Sequence, residues 1–176
     1  LSELRVGKEW RFYQDYGASR YSNYGESVTI KGKGDSPYHS SPLLFVAGCH
    51  SYELEVEIEL SGKAIAGLVV WYNNQYMVGS GISQTKRYSY RRTVATGRGL
   101  HPATRRVWLR LKNDRNSISG SYSLDGKTWK RDAWGMEVSG FDNNTLGGFM
   151  SVLPGIFVCG EGEATFRHFK FMPINN

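Results

Sequence analysis

The stretch from Ser51 to Leu60 constrains this chain more than any other. Tyr52, Leu54, Val56, Ile58 and Leu60 occupy alternate positions, and Glu53, Glu55, Glu57 and Glu59 fill the positions between them. A period of two puts one set on each face of an extended strand. A helix would scatter both sets around its circumference. One face is therefore to be buried, and the other must meet water or charge. Arg106 to Lys112 repeats the pattern with the opposite sign. Val107, Leu109 and Leu111 form one face; Arg106, Trp108, Arg110 and Lys112 form the other. Each cross-strand pair of opposite charge contributes about 0.2–1 kcal/mol. The two strands are expected to lie side by side, with the glutamate row answered by the arginine and lysine row.

The same period recurs from Ile118 to Leu124, where Ile118, Tyr122 and Leu124 alternate with Ser117, Ser119, Ser121 and Ser123. Further strands are expected at Trp10–Tyr13, Ser27–Lys31, Leu43–Ala47, Ala64–Tyr72, Tyr76–Ile82, Lys86–Arg92, Leu146–Val152 and Ala164–Phe171. Turn signals lie at Gly7-Lys8, Ser61-Gly62, Asn73-Asn74, Asp125-Gly126 and Pro154-Gly155. Asp125-Gly126 suits a tight hairpin, because glycine takes positive φ at little cost. About eleven short strands with regular turns argue for an all-β sandwich or barrel. No charge-rich or Pro/Ser-rich linker divides the 176 residues, so one domain over residues 1–176 is expected. Plentiful aromatic and β-branched residues exclude a disordered chain. No run of eighteen apolar residues offers a membrane-spanning helix.

The formal charge of +6 is local. Residues 84–112 hold nine Lys/Arg and no Asp or Glu; subtracting nine from 22 leaves 13 positive against 16 negative elsewhere, a net of −3. With Tyr88, Tyr90 and Trp108 interleaved, the stretch resembles a nucleic-acid patch. No recognised nucleic-acid motif accompanies it, so pairing with the glutamate row is preferred and nucleic acid is set aside as a partner.

Residues that would carry catalysis or bind a metal do not form a recognisable pattern. His39, His50, His101 and His168 show no HxH or HExxH spacing, and Cys49 and Cys159 show no CxxC spacing, so no metal site is expected. The two cysteines read as free thiols in preference to a disulfide. Gly79-Ser80-Gly81 lies within a strand pattern and lacks the nucleophile elbow. Gly97-Arg98-Gly99 lacks the later residues of a phosphate loop. No pair of carboxylates stands out for glycoside hydrolysis. Neither catalytic residues nor a cofactor are assigned.

Aromatic residues are more suggestive. A flat ring covers the C–H face of a sugar while neighbouring polar groups meet its hydroxyls. Asn73, Asn74 and Gln75 separate Trp71-Tyr72 from Tyr76. Trp71, Tyr72, Asn73, Tyr76, Tyr88, Tyr90 and Trp108 are therefore the candidate carbohydrate-binding residues. Ala64 to Val70 is a continuous apolar run. It reads as a strand covered on both faces, or one whose second face lines a groove with Trp71 and Tyr72 near the rim.

Three segments together resemble one family. They are Ala66-Gly67-Leu68-Val69-Val70-Trp71-Tyr72-Asn73 with Tyr76, Val107-Trp108-Leu109-Arg110-Leu111, and Gly120-Ser121-Tyr122-Ser123-Leu124-Asp125-Gly126-Lys127-Thr128-Trp129. They resemble the C-terminal β-sandwich of family 43 glycoside hydrolases, the β-xylosidases and arabinofuranosidases. Ala164 to Phe169 is similar to the family's last strand. The resemblance implies a two-sheet antiparallel sandwich, a concanavalin A-like jelly roll. It implies a non-catalytic accessory module, because the family's catalytic acids lie on a β-propeller. The implied partners are that propeller and an oligosaccharide or polysaccharide of the xylan or arabinan type. The implied setting is periplasmic or extracellular, with no membrane partner. A stand-alone carbohydrate-binding domain or a small glycan hydrolase is the alternative. Many concanavalin A-like modules hold calcium on clustered loop acids. The loops here offer only the isolated Asp15, Asp35 and Asp142, so calcium is not expected.

Overall fold

In the computed structural model, which describes residues 4, 6, 9–15, 19–99, 104–138 and 152–174, the alternating segments become two antiparallel sheets. The strands are β1 (Arg11–Phe12), β2 (Tyr21–Tyr24), β3 (Ser27–Lys31), β4 (Leu43–Leu44), β5 (Ser51–Gly62), β6 (Ile65–Asn73) and β7 (Tyr76–Ile82). They continue with β8 (Lys86–Arg91), β9 (Val94–Gly99), β10 (Arg106–Asp114), β11 (Ser117–Ser123), β12 (Lys130–Glu137), β13 (Leu153–Cys159) and β14 (Gly162–Pro173). The helix among the described residues is one 3-10 turn at Pro37–His39. Sheet 1 has the order β1-β4-β13-β6-β7-β8-β9, and sheet 2 has the order β12-β11-β10-β5-β14-β3-β2. This is the all-β sandwich expected from the alternation.

The core lies between the sheets. Leu54, Val56, Ile58, Val107, Leu109, Leu111, Val28, Ile30 and Phe166 of sheet 2 face Leu68, Val70, Val78, Ile156 and Val158 of sheet 1, all essentially without exposure. Removing this apolar surface from water is the main source of stability. The pairing expected from the two alternating strands is realised. Arg106 lies opposite Glu59, Trp108 opposite Glu57, Arg110 opposite Glu55 and Lys112 opposite Glu53. On the other side of β5 runs β14, with Arg167 opposite Glu57 and Lys170 opposite Glu55.

The apolar run in β6 takes the first of its two expected forms. Leu68 and Val70 point into the sandwich, and Val69 and Trp71 point out of it, yet each is buried. A second apolar layer of Leu44, Val69, Trp71, Met77, Tyr90, Phe157 and Cys159 covers the outside of sheet 1, with Tyr13 and Tyr38 packed over it. Tyr13 meets the Trp71 ring edge to face at 5.3 Å, and Tyr38 meets Tyr90 at 6.1 Å.

One turn assignment is corrected, and one turn is longer than expected. Pro154-Gly155 is not a turn but the start of β13, a strand in the interior of sheet 1. A side chain at Gly155 would collide with the Leu43 carbonyl oxygen, so glycine serves close backbone approach there. Asp125-Gly126 lies in a longer connection between β11 and β12. The Asp125 carboxylate accepts the backbone N–H groups of Lys127 and Thr128, each at 2.8 Å. These bonds, the one from Thr128 foremost, pull its carboxyl down to about 2. Cys49 and Cys159 are free thiols, and burial pushes the Cys159 thiol up to about 12. Of the strand expected at Leu146–Val152, residues 146–151 lie outside the described residues, as do His101 and Asp142.

Candidate functional site

The structure separates the seven residues that the sequence nominates. Trp71 and Tyr72 are neighbours on β6 and so point to opposite faces. Trp71 is 1% exposed in the outer apolar layer, and Tyr72 is 7% exposed in the inter-sheet core. Tyr90 is 2% exposed, wedged between Tyr38 and Phe157, with Tyr88 stacked beside it at 6.0 Å. Burial drives the Tyr90 hydroxyl far above its ordinary pKa. These three buried rings have no free face for a sugar, which corrects their nomination as sugar-stacking rings. The reason is that β6 and β8, which carry them, are interior strands of sheet 1, with the core on one face and the outer apolar layer on the other. Asn73 turns its side-chain oxygen inward to accept the N–H groups of Gln75 at 2.9 Å and Tyr76 at 3.0 Å. Its role is to shape the hairpin. The Arg92 guanidinium lies 4.4 Å over the Tyr76 ring. Trp108 stands apart from the other six, half-buried on the outer face of sheet 2, with Gly126 packed against its indole.

That outer face of sheet 2 is where polar groups converge. Arg110 Nε reaches Glu55 at 2.7 Å and Glu53 at 3.4 Å. Arg106 Nη2 reaches Glu59 at 2.7 Å, and its Nε lies 3.5 Å from Glu57. From β14, Arg167 lies 3.3 Å from Glu59 and Lys170 lies 3.6 Å from Glu55. Glu55 and Glu57 are only 8% and 5% exposed, so the flanking side chains cover them. A short hydrogen bond from Arg106 holds the Glu59 carboxyl below its ordinary value. The Arg110 guanidinium also lies 3.8 Å over the Trp129 ring.

Beside this lattice runs an open groove of about 420 Å³. Its walls include Glu53, Arg110, Lys112, Asp114 and Arg131, and hydroxyls of Ser117, Ser119 and Ser121 line it. The serines come from the outward positions of β11, opposite Asp114, Lys112 and Arg110 on β10. Hydroxyls, cations and carboxylates in one shallow channel supply donors and acceptors at short intervals, as a polyhydroxylated ligand requires. The serine alternation was the available sequence signal for this groove. Of the seven nominated residues, six lie on sheet 1 and Trp108 alone stands on this face.

The family of β-xylosidase C-terminal concanavalin A-like domains matches residues 45–172. The chain belongs to this family. Among curated protein sequences none matches the domain. Solved structures similar to the xylosidase-type domain include the GH43 protein BlXynB from Bacillus licheniformis. It has a TM-score of 0.77 and 16% identity over 98% of this chain and 38% of that chain. The Bacteroides ovatus xyloglucan-locus protein GH43B gives 0.81 and 17%, with the same coverage of 98% and 38%. The domain thus spans 38% of the length of these two chains. A functionally unknown protein from Saccharomyces cerevisiae gives 0.71 and 15%, over 95% of this chain and 96% of that chain. All three segments that carried the sequence resemblance fall inside the matched region.

Proposed function

We propose that the domain is a non-catalytic accessory module of a family 43 glycoside hydrolase, supporting a catalytic β-propeller and contacting xylan- or arabinan-type polysaccharide. One observation carries this reading. All four outward glutamates of β5 lie within 4.0 Å of an arginine or lysine, while the groove beside them stays open. A glycosidase needs one carboxyl held protonated as general acid. Pairing with cations does the opposite, and Glu59 is shifted downward. The serine hydroxyls, Lys112 and Arg131 serve sugar hydroxyls instead, with Trp108 two residues from Arg110 on the same face. The setting in this reading is extracellular or periplasmic, where such polysaccharides occur.

Calorimetric titration with xylo- and arabino-oligosaccharides tests it. Binding is expected, and Lys112→Ala with Arg131→Ala is expected to weaken it about tenfold, as loss of charged hydrogen-bond donors does. Trp108→Ala is expected to weaken it as well, judged at an unchanged thermal midpoint. A chain that binds no such sugar and forms no complex with a family 43 propeller would refute the proposal. The open, hydroxyl-lined groove also suits a second reading, a stand-alone carbohydrate-binding domain. Sugar binding without any propeller complex would select it.

A further inference from the structure

The basic stretch at residues 84–112 is only partly absorbed by the glutamate row. Arg106 and Arg110 pair with β5, but Lys86, Arg91, Arg92 and Arg98 lie on or at the tip of the β8–β9 hairpin, at the far edge of sheet 1. Every residue of β9 is exposed. Across the hairpin Arg87 stands directly opposite Arg98. Like charges opposite one another destabilise a ladder unless neutralised. Asp132 of β12 neutralises Arg87, whose guanidinium also lies 4.1 Å over the Tyr122 ring. Among the described residues no ion pair reaches Arg98, or Arg91 on the same face of β8 as Arg87; Asp132, paired with Arg87, lines the same small recess as Arg98, Ser89 and Thr96. Between the two lie Ser89 and Thr96, paired across the strands, with hydroxyls on that face.

From these placements we propose that the β8–β9 hairpin is a second glycan subsite, specific for carboxylate groups of a uronate-bearing polysaccharide. This deepens the carbohydrate-binding reading and rests on it. Three observations select the ligand class. The free cations are mostly arginines, whose planar forks match a carboxylate in two parallel hydrogen bonds. The hydroxyls of Ser89 and Thr96 supply neutral donors between the charges, where a sugar backbone would pass. Arg91 and Arg98 flank those hydroxyls at a spacing of roughly 13 Å, four residues of strand from Arg87 to Arg91. That suits charges repeated along a polymer better than one compact anion. A second copy of the chain is disfavoured at this edge, because it would present the same unneutralised cations.

The test uses affinity electrophoresis and calorimetry of the whole chain with three probes. They are a xylan bearing glucuronic acid side groups, the same xylan after chemical reduction of its carboxyls, and duplex DNA. The uronate form is expected to bind at least about tenfold more tightly than the reduced form. That difference should shrink at roughly 0.5 M salt. Arg91→Ala with Arg98→Ala should abolish it at an unchanged thermal midpoint, whereas Arg131→Ala should leave it intact. Equal binding of both xylans overturns the subsite and leaves the carbohydrate reading standing. Binding of neither xylan overturns both. DNA that binds as tightly as the uronate xylan shows an unspecific basic patch and overturns the proposal.

Discussion

The outer faces of the two sheets begin from different patterns, a continuous apolar run in β6 and strict apolar–charged alternation in β5 and β10, and end in opposite states. On sheet 1 the outward positions are Val69, Trp71, Met77, Tyr90 and Phe157, and loops bring Tyr13 and Tyr38 over them. On sheet 2 the outward positions are four glutamates and the cations that answer them, with no covering layer needed. An apolar outer face is unstable in water until something covers it, so its side chains become core. A charged outer face can neutralise itself laterally and remain a surface. The difference explains why the tryptophan and tyrosines of sheet 1 stabilise the fold, whereas the groove of sheet 2 stays accessible.

The largest expected effect comes from opening the covered face. Trp71→Ala should cost about 3–5 kcal/mol, through lost transfer energy and a cavity the interior strand cannot close. Urea unfolding measures it, and the loss should be nearly the same at low and high salt. Trp71→Phe keeps most of the ring and removes an indole N–H without a hydrogen-bond partner among the described residues. It should cost less than about 1.5 kcal/mol. A cost for Trp71→Ala below that figure would mean the outer layer is a surface after all.

Next comes the lattice of sheet 2. Arg110→Ala removes the 2.7 Å hydrogen bond to Glu55 and the stack on Trp129. It leaves Glu55, only 8% exposed, with Lys170 at 3.6 Å as its remaining cation. The expected loss is roughly 1.5–3 kcal/mol. Unlike the Trp71 effect, part of it should fade as salt screens the charges. An effect that is salt-independent would show that Arg110 acts through packing on Trp129 alone.

The contrast between the faces was only half legible in the sequence. The β5–β10 pairing was, because alternation fixes which residues face out and opposite charge fixes which strands meet. The contribution of β14 was not. His168 and Phe169 both stand opposite Val56, in a bulge where His168 takes φ 54°. The bulge re-aims Lys170 outward and hides the period of two. The burial of Trp71 was not legible either. Its cover comes from segments distant in sequence, Tyr13 at the end of the expected Trp10–Tyr13 strand and Tyr38 in the 3-10 turn, and neither pattern says what the ring covers. β9 leaves no signal in the sequence, because Thr96-Gly97-Arg98-Gly99 has no apolar face; its hydrogen bonds to β8 define it, not burial.

The smallest effect is the most specific to the charged face. Arg106 donates to Glu59 at 2.7 Å, and Arg167 lies 3.3 Å away. Together they hold the Glu59 carboxyl below the ordinary 4.5, the hydrogen bond from Arg106 contributing most. The folded value is therefore lower than the unfolded one. The pair's contribution to stability is complete above the unfolded value and disappears as pH falls through the folded value. Both side chains are largely open to solvent, so the contribution is small and is best read site by site. In an NMR titration, the Glu59 midpoint should rise toward 4.5 in Arg106→Ala. The stability difference between that variant and the parent should vanish in acid. A midpoint that does not move would mean solvent screens the pair completely, and that the glutamate row is held by its two most buried members, Glu55 and Glu57, alone.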